Sequence, residues 1–377
     1  MRNKIIYLDH AATSWPKPPE VLEAVTRCMR EAGGNPGRGE HQLASRASEV
    51  LYSCRELAGE LFDTVPERVV FTSGATHGLN IAINGLLRPG DHVLIDSMAH
   101  NAVYRPVYRL AASGVVTFDI FDTGESTEDC LSSLEALLRP ETRMVVCTHA
   151  SNICGRSAPL ETIGSFCRDH GLLFVVDGAQ SAGHMALSVE RAHITALSVP
   201  GHKGLLGPQG CGMLLFGRDA PVCMPLVVGG SGSHSLDPEM PPDLPEHLEA
   251  GTLPMPAIAG LSAGLALALR ETPEKRGEQY TRLGEYFAEE CLRIPGIIRY
   301  GTGGSVISFV QEGILPSVTA ESLNSMGICV RSGLHCAPLA HRTIGSPDSG
   351  TVRVSFGYGN TRKDAIRLLE VLDTLRR

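Results

Sequence analysis

A chain of 377 residues that is 43% hydrophobic and 20% charged has room for two globular units and too much apolar material to stay disordered. Its net charge of −8, with Lys and Arg scattered along the sequence, argues against nucleic acid or an anionic membrane as a partner. The first ten residues lack the apolar core and cleavage site of an export signal, and nothing downstream is apolar over a membrane-spanning length.

In chain order, a helix opened by Pro19 is predicted over 19–32, stopping at Gly33-Gly34, and a second over 43–62. Short apolar runs follow at 69–71, 93–95, 115–118, 144–147, 172–176, 194–199 and 212–216, most of them leading into helical periodicity. Continuous apolar runs alternating with helices imply a mostly parallel sheet of seven strands covered on both faces, an α/β architecture. The last two runs lie too close together to enclose a helix, so one of them should be antiparallel. Residues 229–249, rich in Gly, Pro and acid, read as a loop and the best candidate for a mobile segment. A helical region over 256–293 breaks near Thr272-Pro273. The tail reads strand (306–310), helix (319–326), strand (328–331), strand (351–356) and closing helix (362–376), an α+β appendage. The eleven cysteines are dispersed without a C-x-x-C pair, so a reduced thiol set in the cytoplasm is expected, with no metal site.

Two residues carry the first chemical signal. Asp177 ends an apolar run, and Lys203 stands in a glycine-rich turn, Gly201-His202-Lys203-Gly204, of the next β unit. A lysine amine and a strand-end carboxylate at one crevice are what pyridoxal phosphate needs, one for its aldehyde and one for its ring nitrogen. Small neighbours would let a bulky ring approach the backbone. Upstream, Phe71-Thr-Ser-Gly-Ala75-Thr76 leaves a strand into a helix, a setting for a phosphate, although in isolation an ordinary N-cap at Ser73 or Thr76 is the stronger reading. His100 follows a strand end and is either structural or an acid–base group over a ring. Cys336 differs from the other cysteines by lying in a loop with His335, His341 and Arg342 nearby, where cations would favour a thiolate. Arg353 sits in an otherwise apolar strand and is shaped either to pair with a carboxylate of the protein or to hold a substrate carboxylate.

These residues, together with Tyr7-Leu-Asp-His-Ala-Ala-Thr13, Thr148-His-Ala-Ser-Asn152 and Glu249-Ala-Gly-Thr252, make the chain resemble the fold-type I, class V pyridoxal phosphate enzymes over nearly its whole length. Among them it is similar to the cysteine desulfurases and selenocysteine lyases. The resemblance implies a large domain over 14–254 and a small α+β domain made of 1–13 and 255–377. It implies that Lys203 holds the cofactor as a Schiff base, Asp177 pairs with its pyridinium, Gln180 contacts the ring hydroxyl and His100 stacks on the ring. Ala75, Thr76 and His202 would take the phosphate, and Gly251 and Thr252 would reach that of a second subunit, making a homodimer. Asn152 and Arg353 would bind the substrate carboxylate, with Asn152 also near the cofactor. The implied activity converts L-cysteine to L-alanine, leaving a persulfide on Cys336 for a thiol acceptor, with Lys203, Cys336 and His100 as the catalytic set. The alternatives are a selenocysteine lyase, a class V aminotransferase or β-lyase in which Cys336 is incidental, and a non-catalytic sulfur-carrier scaffold. Two positions depart from the family: Pro200 stands where relatives carry a phosphate-binding serine, and Ala99 where many carry an acid.

Overall fold

The computed structural model describes residues 5–301 and 303–375. It opens with a two-residue strand, β1 (Ile6–Tyr7), too short to leave a periodic signal. Helix α1 (Pro19–Glu31) begins at a proline, whose missing N–H has no partner to lose in a first turn. Helix α2 (Gln42–Phe62) ends at Asp63, which is left-handed at φ 57°.

The central sheet comprises β2 (Val69–Thr72), β3 (His92–Asp96), β4 (Thr117–Phe121), β5 (Thr142–Thr148), β6 (Leu173–Asp177), β7 (Ala196–Pro200) and β8 (Gly212–Phe216). Their spatial order is β2-β8-β7-β6-β5-β3-β4, and only β8 runs antiparallel to its neighbours. Seven strands, mostly parallel, match the sequence expectation, and β8 is the reversed member of the last pair. Helices α3 (Ala75–Leu86), α4 (Asn101–Ala112), α5 (Thr127–Leu137) and α6 (Leu160–Asp169) connect the parallel strands. Side chains alternate between the faces: Leu94, Val145 and Phe174 enter one core, while Val93, Val146 and Val175 enter the other.

After the 229–249 loop, whose only regular element is a single 3-10 turn (Glu246–Leu248), come α7 (Met255–Glu271) and α8 (Pro273–Glu290), separated at Thr272 as the sequence predicts. Strands β9 (Ile297–Tyr300), β10 (Val306–Gln311), β12 (Arg331–Gly333) and β13 (Thr351–Ser355) form an antiparallel sheet in the order β12-β13-β10-β9. Strand β11 (Ile328–Cys329) pairs with β1 instead. Helices α9 (Pro316–Ser325), α10 (Pro338–Thr343) and α11 (Arg362–Thr374) complete this unit; the expected end of the last helix at Arg376 lies outside the described residues. Helix α7 was expected with the small unit, yet it packs on α1 and α2 and buries Met255, Ile258 and Leu261 in the core of the large sheet. Its apolar face is continuous with that core, whereas α8 turns toward α11. Among the described residues no helix is long and apolar enough to cross a membrane.

Candidate active site

The parallel strands end at a cavity of about 210 Å³, where crevices form in sheets of this kind. Asp177, the last residue of β6, is buried and accepts a 2.9 Å hydrogen bond on Oδ1 from the Ala179 amide. Burial pushes its pKa up, opposed by that amide and by Lys203. Lys203 lines the same cavity from the turn after β7. Burial lowers its pKa to about 8 against the pull of Asp177, with Arg353 and Arg331 adding to the depression. A fraction of the amine is thereby unprotonated near neutral pH. The flanking glycines serve backbone packing: a Cβ on Gly204 would lie 2.3 Å from the Ala182 carbonyl oxygen, and one on Gly201 2.8 Å from that of Cys211. Room for a ring to approach the backbone is therefore not what fixes them.

Helix α3 points its start into the cavity through Ala75 and Thr76. Its N-cap is Gly74 at φ 147°, and no side chain caps the helix, so an ordinary N-cap at Ser73 or Thr76 is not what this turn builds. An uncapped helix start favours an anion. Across from it, His202 Nδ1 lies 3.0 Å from the Thr13 hydroxyl, and burial lowers its pKa to about 4. The N-terminal segment straps this turn down, because Ser14 Oγ and Lys17 Nζ donate to the His202 carbonyl at 3.0 and 2.8 Å. Pro200 ends β7 on the cavity wall, without a hydroxyl or an N–H to offer.

His100 has the structural one of the two roles left open by its sequence. It caps α4, with Nδ1 accepting from the Ala102 amide at 3.0 Å, and it lines the cavity. Burial, reinforced by Lys203, lowers its pKa to about 4, so the ring is neutral. Gln180 donates from Nε2 to the Ala11 carbonyl at 2.8 Å, which fixes the side chain at the cavity rim.

Arg353 is 1% exposed, and its Nη2 is 2.6 Å from Asp9 Oδ1 while Nη1 donates to the Asn152 carbonyl at 3.2 Å. Its Nε has no partner among the described residues, nor has Oδ1 of Asn152. The Asn152 amide donates from Nδ2 to the His335 carbonyl at 2.9 Å, tying the cavity wall to the Cys336 loop. The Cys336 carbonyl accepts a second tie, 2.7 Å from the Asn101 amide at the start of α4. His335 and Cys336 are both left-handed, at φ 50° and 58°.

Of the eleven free cysteines, nine are buried, Cys329 is half-buried and Cys336 is exposed. The expected setting of this thiol among histidine cations needs correction. His335 is buried and its pKa falls to about 3; that of His341 is also lowered by burial. Both rings are neutral, and the cation beside the thiol is Arg331, whose Nη2 lies 4.0 Å from Sγ.

The aminotransferase class V family model matches residues 6–368. The chain belongs to the class V aminotransferase family. It is 33% identical to a probable cysteine desulfurase of Methanothermobacter thermautotrophicus, over 98% of this chain and 94% of that protein. Its fold is similar to the apo cysteine desulfurase of Thermococcus onnurineus NA1, at TM-score 0.89 and 28% identity, covering 99% of this chain and 95% of that one. The cysteine desulfurase CsdA of Escherichia coli, in its S-sulfonic acid form, is similar at TM-score 0.88 and 26% identity, with the same coverage. The cofactor of this class V family, pyridoxal phosphate, fits the cavity. A buried amine of lowered pKa, a buried carboxylate, an uncapped helix start and the unpaired Asn152 oxygen all converge on it.

In this class V chain Gly251 and Thr252 stand apart, exposed and outside the cavity. Their turn is anchored by Glu249, whose carboxylate accepts from Arg55 Nη2 and from the Phe71 amide, both at 2.6 Å. Sequence reasoning missed Arg55, Lys17 and Asp9 as supports of the site. Asp9 lies in the Tyr7–Thr13 motif, whose concentration of polar residues around a short strand was the available signal; Arg55, inside an ordinary amphipathic helix, gave none. Asp96 was missed too: at the end of β3 it is fully buried, accepts from the Met98 and Thr148 amides at 2.8 and 2.6 Å, and has its pKa raised by burial to about 7.

Proposed function

We propose that this protein is a pyridoxal phosphate-dependent cysteine desulfurase that converts L-cysteine to L-alanine and stores the sulfur as a persulfide on Cys336. One observation carries the reading. The exposed cysteine is bound through the His335 carbonyl to Asn152 of the cofactor cavity, and through its own carbonyl to Asn101, which lies between the cavity residues His100 and Ala102. An incidental thiol has no need of such ties.

Bound pyridoxal phosphate supplies an electron sink for the bond-breaking at the substrate Cα. Lys203 would hold the cofactor, and its Nζ would take the substrate Cα proton; a pKa of about 8 suits that exchange near neutral pH. Asp177 would keep the ring nitrogen protonated, Gln180 would serve the ring hydroxyl, and the neutral His100 would hold the ring and assist proton transfer. Ala75, Thr76 and His202 would hold the phosphate, with no hydroxyl or N–H from Pro200 to help. Arg353, pre-aimed by Asp9, and Asn152 hold the substrate carboxylate. Cys336 Sγ then forms the S–S bond as the substrate Cβ–S bond breaks, and a proton delivered to Cβ followed by one returned to Cα from Lys203 Nζ completes alanine. A thiol acceptor, protein or small molecule, takes the persulfide sulfur.

The two-unit division over 14–254 and 1–13 with 255–377 is retained with one amendment, α7 joining the large unit. Gly251 and Thr252 reach the phosphate of a second copy, which makes the working form a homodimer. A reduced cytoplasmic setting suits eleven unpaired thiols. The test is anaerobic incubation of the cofactor-loaded protein with L-cysteine, scored for alanine and persulfide. Cys336→Ala that makes alanine at the wild-type rate overturns the nucleophile; Lys203→Ala that keeps the visible absorbance of the loaded protein overturns the cofactor anchor. Parallel rates on selenocysteine separate the lyase alternative, and keto-acid products would identify an aminotransferase or β-lyase.

A further inference from the structure

The Cys336 turn is strained, since neither His335 nor Cys336 is glycine and both are left-handed. Such a turn persists only when its surroundings hold it. Its own Ala337 amide bonds back to the Leu334 carbonyl at 2.9 Å, and the two carbonyl ties to Asn101 and Asn152 add to that; the His335 ring is a further hold. Its Nε2 lies 3.2 Å from the Arg331 carbonyl, and its Nδ1 lies 3.5 Å from His341 Nε2. The two rings are near-parallel, 14° apart in plane, and each residue is 3% exposed. His341 Nδ1 in turn is 2.6 Å from the Ser346 hydroxyl.

Only one proton arrangement satisfies this chain. A carbonyl can only accept, so His335 Nε2 carries the proton and leaves Nδ1 bare. In that arrangement Nδ1 accepts from His341 Nε2–H, and the bare His341 Nδ1 accepts from Ser346 Oγ–H, whose oxygen also lies 3.3 Å from the His341 carbonyl. Both rings are neutral, as burial requires. His341 sits on α10, which buries Leu339 and Ala340 against the large unit, so its ring has a fixed base.

We propose that His341 is a positioning residue for Cys336: through the His335 ring it holds the left-handed turn that presents the thiol beside the cavity. The claim rests on the desulfurase reading for its kinetic consequence, but the loop geometry can be tested without it.

The experiment compares the loaded wild type with His341→Gln and His341→Leu. Glutamine keeps an amide N–H donor toward His335; leucine removes it. His341→Leu should lower kcat for alanine formation about tenfold or more, the cost of a misplaced reacting group, with KM for L-cysteine and cofactor absorbance unchanged. His341→Gln should recover most of that loss. Hydrogen exchange over 331–346 should quicken in His341→Leu and stay near wild type in His341→Gln. Wild-type kcat in His341→Leu, or equal losses of kcat in both variants, overturns the assignment. If both variants misfold, Ser346→Ala, which removes only the far hydroxyl, should lower kcat at constant KM; an unchanged kcat overturns it. Should the wild type make no alanine, the desulfurase reading falls, and the exchange comparison alone decides whether His341 holds the loop.

Discussion

Replacing Arg55 by methionine exposes the electrostatics beneath the Gly251–Thr252 turn. The Arg55–Glu249 pair is 2.6 Å apart, with side chains only 6% and 5% exposed. Arg55 also donates to the Val69 carbonyl. Methionine roughly keeps the reach and the packing of the arginine stem, so the change isolates the charge. Removing one partner of a buried pair costs about 3–5 kcal/mol, because the survivor stays desolvated. Burial already raises the pKa of Glu249, and Arg55 is the main influence pulling it back. Without Arg55 the folded-state pKa rises further above the unfolded value. A carboxylate of raised pKa is tolerated below its unfolded pKa and costs stability as pH rises through the folded one. The deficit of Arg55→Met should therefore be largest at pH 8 and shrink toward pH 5. Urea unfolding followed by circular dichroism at pH 8, 6.5 and 5 measures it. A loss under about 1 kcal/mol at pH 8 would mean the pair is hydrated rather than buried. A loss of several kcal/mol that does not change with pH would assign the effect to packing and refute the charge argument.

Three further outcomes follow from the geometry. Capture of pyridoxal phosphate by the apoprotein, read by its visible absorbance, should quicken about tenfold per pH unit well below pH 8 and level above it, since only the unprotonated Lys203 amine condenses; a flat profile from pH 6 to 8 would contradict the depressed lysine. Arg353→Lys loses the fork that spans Asp9 and Asn152, so KM for L-cysteine should rise about tenfold or more while cofactor loading holds; an unchanged KM would remove Arg353 from the carboxylate site. Gly284→Ala places a Cβ 1.8 Å from the Gly304 carbonyl oxygen and should cost at least about 1–3 kcal/mol in urea melts, whereas a gain would show that helix propensity alone governs the position.

The sheet was legible because its strands, apart from the edge strand β4 with its exposed Thr117 and Ile120, are buried on both faces and so read as unbroken apolar runs, with β8 betrayed by the short gap after β7. Asp177, Lys203, Cys336 and Arg353 were legible because each is chemically out of place in its local pattern. The supports were not. Asp9, Arg55 and His341 act through partners 344, 194 and 6 residues away, respectively, and the two distant partnerships have no local signature. The charge state of His335 and His341 was misread for the same reason: sequence shows proximity to the thiol, but burial decides whether an imidazole carries a proton. Strands β1, β9 and β12 span 2, 4 and 3 residues and owe their existence to pairing partners rather than to their own composition.

The ion pair between Asp9 and Arg353 joins residues 344 positions apart, and Ser355 Oγ accepts from the Ala11 amide across the same distance. During synthesis, at about 5–20 residues per second, the N-terminal strap emerges some 20–70 seconds before its partners exist. The large sheet can form in that interval, since its last strand ends at residue 216. The substrate clamp cannot. A nascent chain thus has a cofactor cavity before it has a means of aligning an amino acid in it, and the last strand to be made is the one that brings the clamp into register.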